Sequence, residues 1–158
     1  MKISEKSISF DNAYKFFNER LFGNQLGLCV ITPNCDGVRK AFFVQNSFYE
    51  KDGCENCDEI ALNPSVFDGQ TDAEILSTLV HEMVHKWQHD FGKPGKNAYH
   101  NKEWAKEMKR IGLKPFNVTN PNRETGPACG HTIVEDGLFA QTYQEIAVKG
   151  IKLNRLIL

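Results

Sequence analysis

The chain has 158 residues, 41 % of them hydrophobic and 25 % charged, and a formal net charge of −1. That length supports one domain with a sizeable core, and the composition is that of a soluble globular protein, not a membrane-spanning or disordered one. No apolar run reaches bilayer length, and Met1-Lys2-Ile3-Ser4-Glu5-Lys6 lacks the apolar stretch of a secretory signal, so the expected location is cytoplasmic, or nucleoid or nuclear, and not secreted.

Taken in order, residues 9–22 place Phe10, Ala13, Tyr14, Phe17 and Leu21 near helical spacing, with Gly23 as terminator. Three strand candidates follow, Leu26–Thr32, Arg39–Gln45 and Glu59–Leu62. The turn signal Pro33-Asn34-Cys35-Asp36-Gly37 joins the first two as a hairpin, and Asn46–Asp58 is a longer polar connection. Thr71-Asp72-Ala73-Glu74 is a capping box that starts a long helix near Asp72, running to about Phe91 before Gly92. A loop over 92–99 leads to a helix from about Asn101 to Ile111, with Trp104, Met108 and Ile111 on one face. The Pro/Asn/Gly-rich stretch Pro115–Pro127 reads as irregular, Thr132–Val134 as a short strand, and Leu138–Val148 as the last helix.

The long helix carries the chemistry. His81-Glu82-Met83-Val84-His85 sits inside an apolar run that includes Leu76, Leu79, Val80, Met83 and Val84. Residues four apart lie one turn apart on the same face, so His81 and His85 can grip one ion. Glu82, about 100° round the helix, falls beside that ion without binding it, where a base for a water nucleophile belongs. Zinc is the metal such ligands suit, and a catalytic zinc needs a third protein ligand.

His89 continues the series at i+8 but rises about 12 Å along the axis from His81, too far for bonds of about 2 Å to one ion. His100 is the better candidate. Fourteen residues separate it from His85, and the Gly/Pro loop between them allows the chain to return. Glu103 is the alternative ligand, or a partner orienting His100. The related pattern with Gly and His three and six residues after the second His fails, because Gln88 and Phe91 stand there. Tyr99 and His131 lie in segments that could return to the cleft as oxyanion donors or supporting residues.

Three blocks, Asp58-Glu59-Ile60-Ala61-Leu62-Asn63-Pro64, Leu76 to His85, and Tyr99-His100-Asn101-Lys102-Glu103-Trp104, together resemble the SprT-like metalloprotease family, relatives of the Spartan protease domain. The resemblance spans about Ala13 to Phe139. It implies His81, His85 and His100 as ligands of one Zn2+ per chain and Glu82 as the catalytic glutamate. It also implies an α+β, zincin-like fold, with a small antiparallel three-stranded sheet packed on the metal helix. Relatives act on DNA-bound or DNA-crosslinked proteins, and many carry a C-terminal four-cysteine zinc ribbon. After Cys57 the only cysteine here is Cys129, so a single SprT-like domain over 1–158 without that ribbon is expected.

The expected activity is therefore that of a zinc metalloendopeptidase on protein substrates, with an exposed sheet edge aligning an extended chain. A zinc-braced adaptor that binds DNA or protein without catalysis is the alternative from another class, and a zinc hydrolase of small molecules is a third. Charge is unevenly spread: residues 1–85 carry 7 basic and 13 acidic side chains, residues 86–114 carry 8 and 3. The basic segment could face DNA, or be an ordinary solvated helix face. The five cysteines are expected as reduced thiols, and Cys29, Cys35, Cys54 and Cys57 could form a second, structural metal site.

Overall fold

The computed structural model describes residues 6–35, 37–48 and 57–156. Ser9 caps the first helix by accepting from the backbone N–H of Asn12, and helix α1 (Phe10–Phe22) buries Phe10, Ala13, Tyr14, Phe17 and Leu21. A short strand before it, β1 (Ser7–Ile8), pairs in parallel with β7 (Lys152–Leu153) near the other end of the described chain. Neither of these short strands has a sequence signal, because two-residue pairings depend on where the rest of the fold brings them.

The central sheet is formed by β2 (Cys29–Pro33), β3 (Ala41–Phe48) and β4 (Cys57–Leu62) in the order β2-β4-β3. It is mixed: β4 runs parallel to β2 and antiparallel to β3. The expected all-antiparallel sheet and its β2–β3 hairpin are therefore incorrect. Pro33 to Gly37 does end a strand, but the chain then crosses the end of β4 instead of turning back beside β2. Asn63 holds that crossing, donating from its side chain to the carbonyl oxygens of Arg39 at 2.9 Å and Gly37 at 3.4 Å. Its backbone N–H reaches Lys40 O at 2.9 Å, and Asn34 N–H reaches Leu62 O at 2.8 Å. Spanning two strand spacings takes roughly 10 Å, well within the reach of residues 34–40.

Helix α2 (Asp72–Phe91) opens on the expected capping box, with Thr71 and Glu74 bonded reciprocally, and ends at Gly92. Ile75, Leu76, Leu79, Val80, Met83 and Val84 are each at most 1 % exposed, so this helix is the spine of the core. Arg155 and the backbone N–H of Leu153 both bond Asp72, fastening the β7 segment to the start of α2. Helix α3 (Lys102–Arg110) packs Trp104, Ala105 and Met108 inward. It leads into an antiparallel pair, β5 (Leu113–Asn117) and β6 (Cys129–Ile133), before α4 (Leu138–Ala147) closes the core through Phe139 and Ile146. Strand β5 lies where the sequence reads as irregular. Pro115 obscures it, yet a two-stranded pair has free edges on which a missing N–H is tolerated.

The architecture is α+β. Among the described residues, no helix is long and apolar enough to cross a membrane. Among the described residues, the thiol expectation needs correction at Cys57. Cys57 is in a disulfide, whereas Cys29, Cys35 and Cys129 are free. A disulfide sulfur is not a thiolate ligand, which removes Cys57 from the four-cysteine metal site considered above. Cys54 and most of the 46–58 connection lie outside the described residues.

Candidate metal centre

Helix α2 presents Ser77, His81 and His85 as successive turns of one face. The loop after Gly92 brings His100 back to the same face, and the potential ligand atoms of His81, His85 and His100 all lie within 4.8 Å of one another. The ring centroids are 5.3 Å apart for His81 and His85, and 4.8 Å for His85 and His100. Trp104, fully buried, forms the floor, its ring centroid 4.4 to 5.5 Å from all three imidazoles. Its indole nitrogen is buried without a hydrogen-bond partner.

The return loop is held by a cluster of side chains that the sequence leaves anonymous. Gln88 donates to Asn101 Oδ1 at 2.6 Å and to Glu103 Oε1 at 2.9 Å. Glu103 Oε1 also accepts from the backbone N–H of Lys93, and Asn101 donates to Lys93 O. Gly92 leaves room for this arrangement: a Cβ would lie 2.3 Å from Glu103 Oε1 and displace that carboxylate. Glu103 is thus occupied in bracing the loop, and the alternative ligand role read for it is not supported. At the far end of the loop His100 pairs with Gly126 through both backbone groups.

His100 Nδ1 also meets Gly126 O at 3.0 Å. A carbonyl only accepts, so that nitrogen carries the proton and Nε2 is left with its lone pair. Gly126 has φ +144°, and a Cβ there would lie 2.3 Å from Asn117 Nδ2, so only glycine fits. Asn117 is itself buried, accepting from the backbone of Thr119 and Asn120 and donating to Thr125 O. Ser77, Asn117 and Gly126 were all missed by sequence reasoning. Only Ser77 left a signal, as a polar residue one turn before His81 on a buried face.

His131, on β6, contacts His81 instead of the open cleft. Its Nδ1 lies 3.0 Å from His81 Nδ1 and its Nε2 lies 2.8 Å from Ser77 Oγ. With both ring nitrogens engaged, it has no proton free for an oxyanion, which leaves the supporting role of the two read for it. Tyr99 is 39 % exposed on the return loop.

Burial sets the charge states. Desolvation drives His81 far below the usual imidazole range, takes His85 down to about 3 and lowers His100, with neighbouring imidazoles adding to the shift of the first two. Three neutral rings therefore offer nitrogen lone pairs from a water-poor pocket. Glu82, 7 % exposed, has Oε2 3.9 Å from His81 Nε2, and burial pushes its carboxyl up to about 8 while Arg39 opposes the rise. Three neutral nitrogen donors, with no thiolate or carboxylate among them, fit a borderline-soft divalent ion with one open position.

The other grouping of ligand-type side chains, Asp58, His89 and Asp90, is of a different kind. Lys86 Nζ sits between the carboxylates, 2.5 Å from Asp58 and 3.0 Å from Asp90, so an ammonium already supplies the positive charge. His89 bonds Asp90 and packs on Phe43, away from the three histidines. Lys86 is 3 % exposed and is therefore lost to any basic surface. Lys109 and Arg110 are paired with Glu124 and Glu107, leaving Lys93, Lys96, Lys102, Lys106 and Lys114 as the exposed cations of that segment not placed in such pairs.

A model of the SprT-like family matches residues 5–124. The chain belongs to the SprT-like family. No curated protein matches it. This SprT-like chain is accordingly a metallopeptidase-like domain, and the clustered histidines of α2 and the return loop are consistent with a bound metal.

Proposed function

We propose that this protein is a zinc-dependent endopeptidase in which His81, His85 and His100 hold the metal and Glu82 is the general base. The observation that carries the reading is the convergence of three neutral imidazoles beside a buried carboxyl that stands outside the donor set. Zinc held there supplies a Lewis acid for water and for the scissile carbonyl. Glu82 takes the proton from water and returns it to the leaving amine. Its place beside His81 and outside the donor set suits it to carry that proton.

The substrate is an extended polypeptide. Among the described residues β3 pairs with β4 alone, which leaves its outer edge open for strand addition. Arg39 and Lys40, just before β3, act electrostatically on Glu82 and on His81 and His131, so that edge begins beside the catalytic face. DNA-associated proteins are the substrate class we favour, with the exposed lysines of 93–114 meeting the phosphate backbone.

Cleavage of an unfolded protein substrate tests the reading. Chelation with 1,10-phenanthroline should abolish cleavage, and zinc should restore it. Added single-stranded DNA should stimulate, less so as salt rises. Stable zinc binding without any cleavage would favour the adaptor instead.

A further inference from the structure

We propose that His131 is a positioning residue that fixes the tautomer of His81 through a one-directional chain of hydrogen bonds anchored on the carbonyl of Glu74. The proposal rests on the three-histidine metal reading above. The chain begins at Ser77, whose Oγ lies 2.7 Å from Glu74 O. A carbonyl cannot donate, so the single hydroxyl proton of Ser77 points there. At its other contact, 2.8 Å from His131 Nε2, the hydroxyl must accept, and Nε2 carries the N–H.

A neutral imidazole protonated on Nε2 has its lone pair on Nδ1. His131 Nδ1 therefore accepts from His81 Nδ1–H across their 3.0 Å contact. His81 is left with an unprotonated Nε2, the state a metal ligand requires. Reversing any link would put the proton on the ligating nitrogen, or leave two donors or two acceptors facing each other.

The fold makes this chain possible from two sides. Ser77 and His81 are adjacent turns of α2, and His131 arrives from β6, held in register opposite Pro115 of β5. The same hairpin supplies Gly126, whose carbonyl fixes His100. Residues 126–131 thus orient two of the three histidines, one through a backbone oxygen and one through a side chain. Both partners are neutral, so neither adds negative charge to the ligand set.

The test uses the full-length protein with His131→Leu, His131→Asn and Ser77→Ala, reading zinc affinity by competition with a chromophoric chelator. Long-range 1H–15N spectra of the histidines report the tautomer, with and without zinc. Wild type should show His81 protonated on Nδ1 in both states. His131→Leu should mix the two tautomers and weaken zinc binding about 10–100-fold. His131→Asn, which keeps an acceptor near the Nδ1 position, should recover most of the affinity, and Ser77→Ala should fall between. His81 protonated on Nε2 in the metal-free wild type, or unchanged affinity in a folded His131→Leu, would overturn the proposal. If His131→Leu fails to fold, the wild-type tautomer and Ser77→Ala decide alone. A wild type that binds no zinc would defeat the three-histidine reading, while the metal-free tautomer would still judge the chain.

Discussion

Glu82→Gln is expected to lower kcat by roughly 10²–10⁴-fold, the range of a positioned general base, with zinc content unchanged. Gln has nearly the same volume, so the buried site, where Glu82 is 7 % exposed, should keep its packing. What the amide loses is the ability to take a proton. Because Glu82 stands outside the donor set of His81, His85 and His100, the metal should stay. Undiminished turnover would remove Glu82 from the reaction. Loss of zinc together with activity would instead make it a structural part of the site. Initial rates with metal analysis on the same preparations separate these outcomes.

The largest expected effect on stability lies one residue beyond His85. Lys86→Met should cost about 3–5 kcal/mol, the range for breaking a buried ion pair by removing one partner. Lys86 is 3 % exposed and bonded to both Asp58 and Asp90, so its loss strands the Asp58 carboxylate in the core without a counter-ion. Burial opposes the charge on Lys86, but the hydrogen bonds it donates to the two carboxylates, together with their negative charge, outweigh it and raise its pKa above 10.5. A raised folded-state pKa means the stabilisation is present below the unfolded value and is lost as pH climbs through the folded one. The contribution should therefore be constant across neutral pH and decline only under strongly alkaline conditions. Adding Asp58→Leu to Lys86→Met should recover much of the loss, because a hydrophobic replacement of the pair removes the stranded charge. Urea unfolding midpoints read both results. A loss below about 1 kcal/mol would mean that the pair is no more than a surface contact.

The helices were legible because their signals are local. The capping box, the apolar run of α2 and the Gly92 stop lie within a few residues of the structure they specify. The return of His100 to the face of His81 and His85 was legible for a chemical reason, the need of the proposed metal for a third ligand at a distance the loop could bridge. Strand order was not legible. The Pro33–Gly37 turn marks where β2 ends, but β4 lies between β2 and β3, and the crossing is held by Asn63, which bonds Gly37 and Arg39 across a gap of more than twenty residues. The support of the histidines is non-local in the same sense. His131 faces His81 only once β5 and β6 have paired, and Gly126 needs the buried Asn117 beneath it. Lys86 reads as one more cation in a basic segment until β4 places Asp58 against it.

Counting zinc on wild type, Glu82→Gln and His100→Ala tests the central claim most directly. The account predicts one tightly held zinc per chain in the first two and its loss, or weak binding, in His100→Ala. Wild-type affinity and stoichiometry in folded His100→Ala would contradict it, since two histidines from one helix would then suffice to hold the ion.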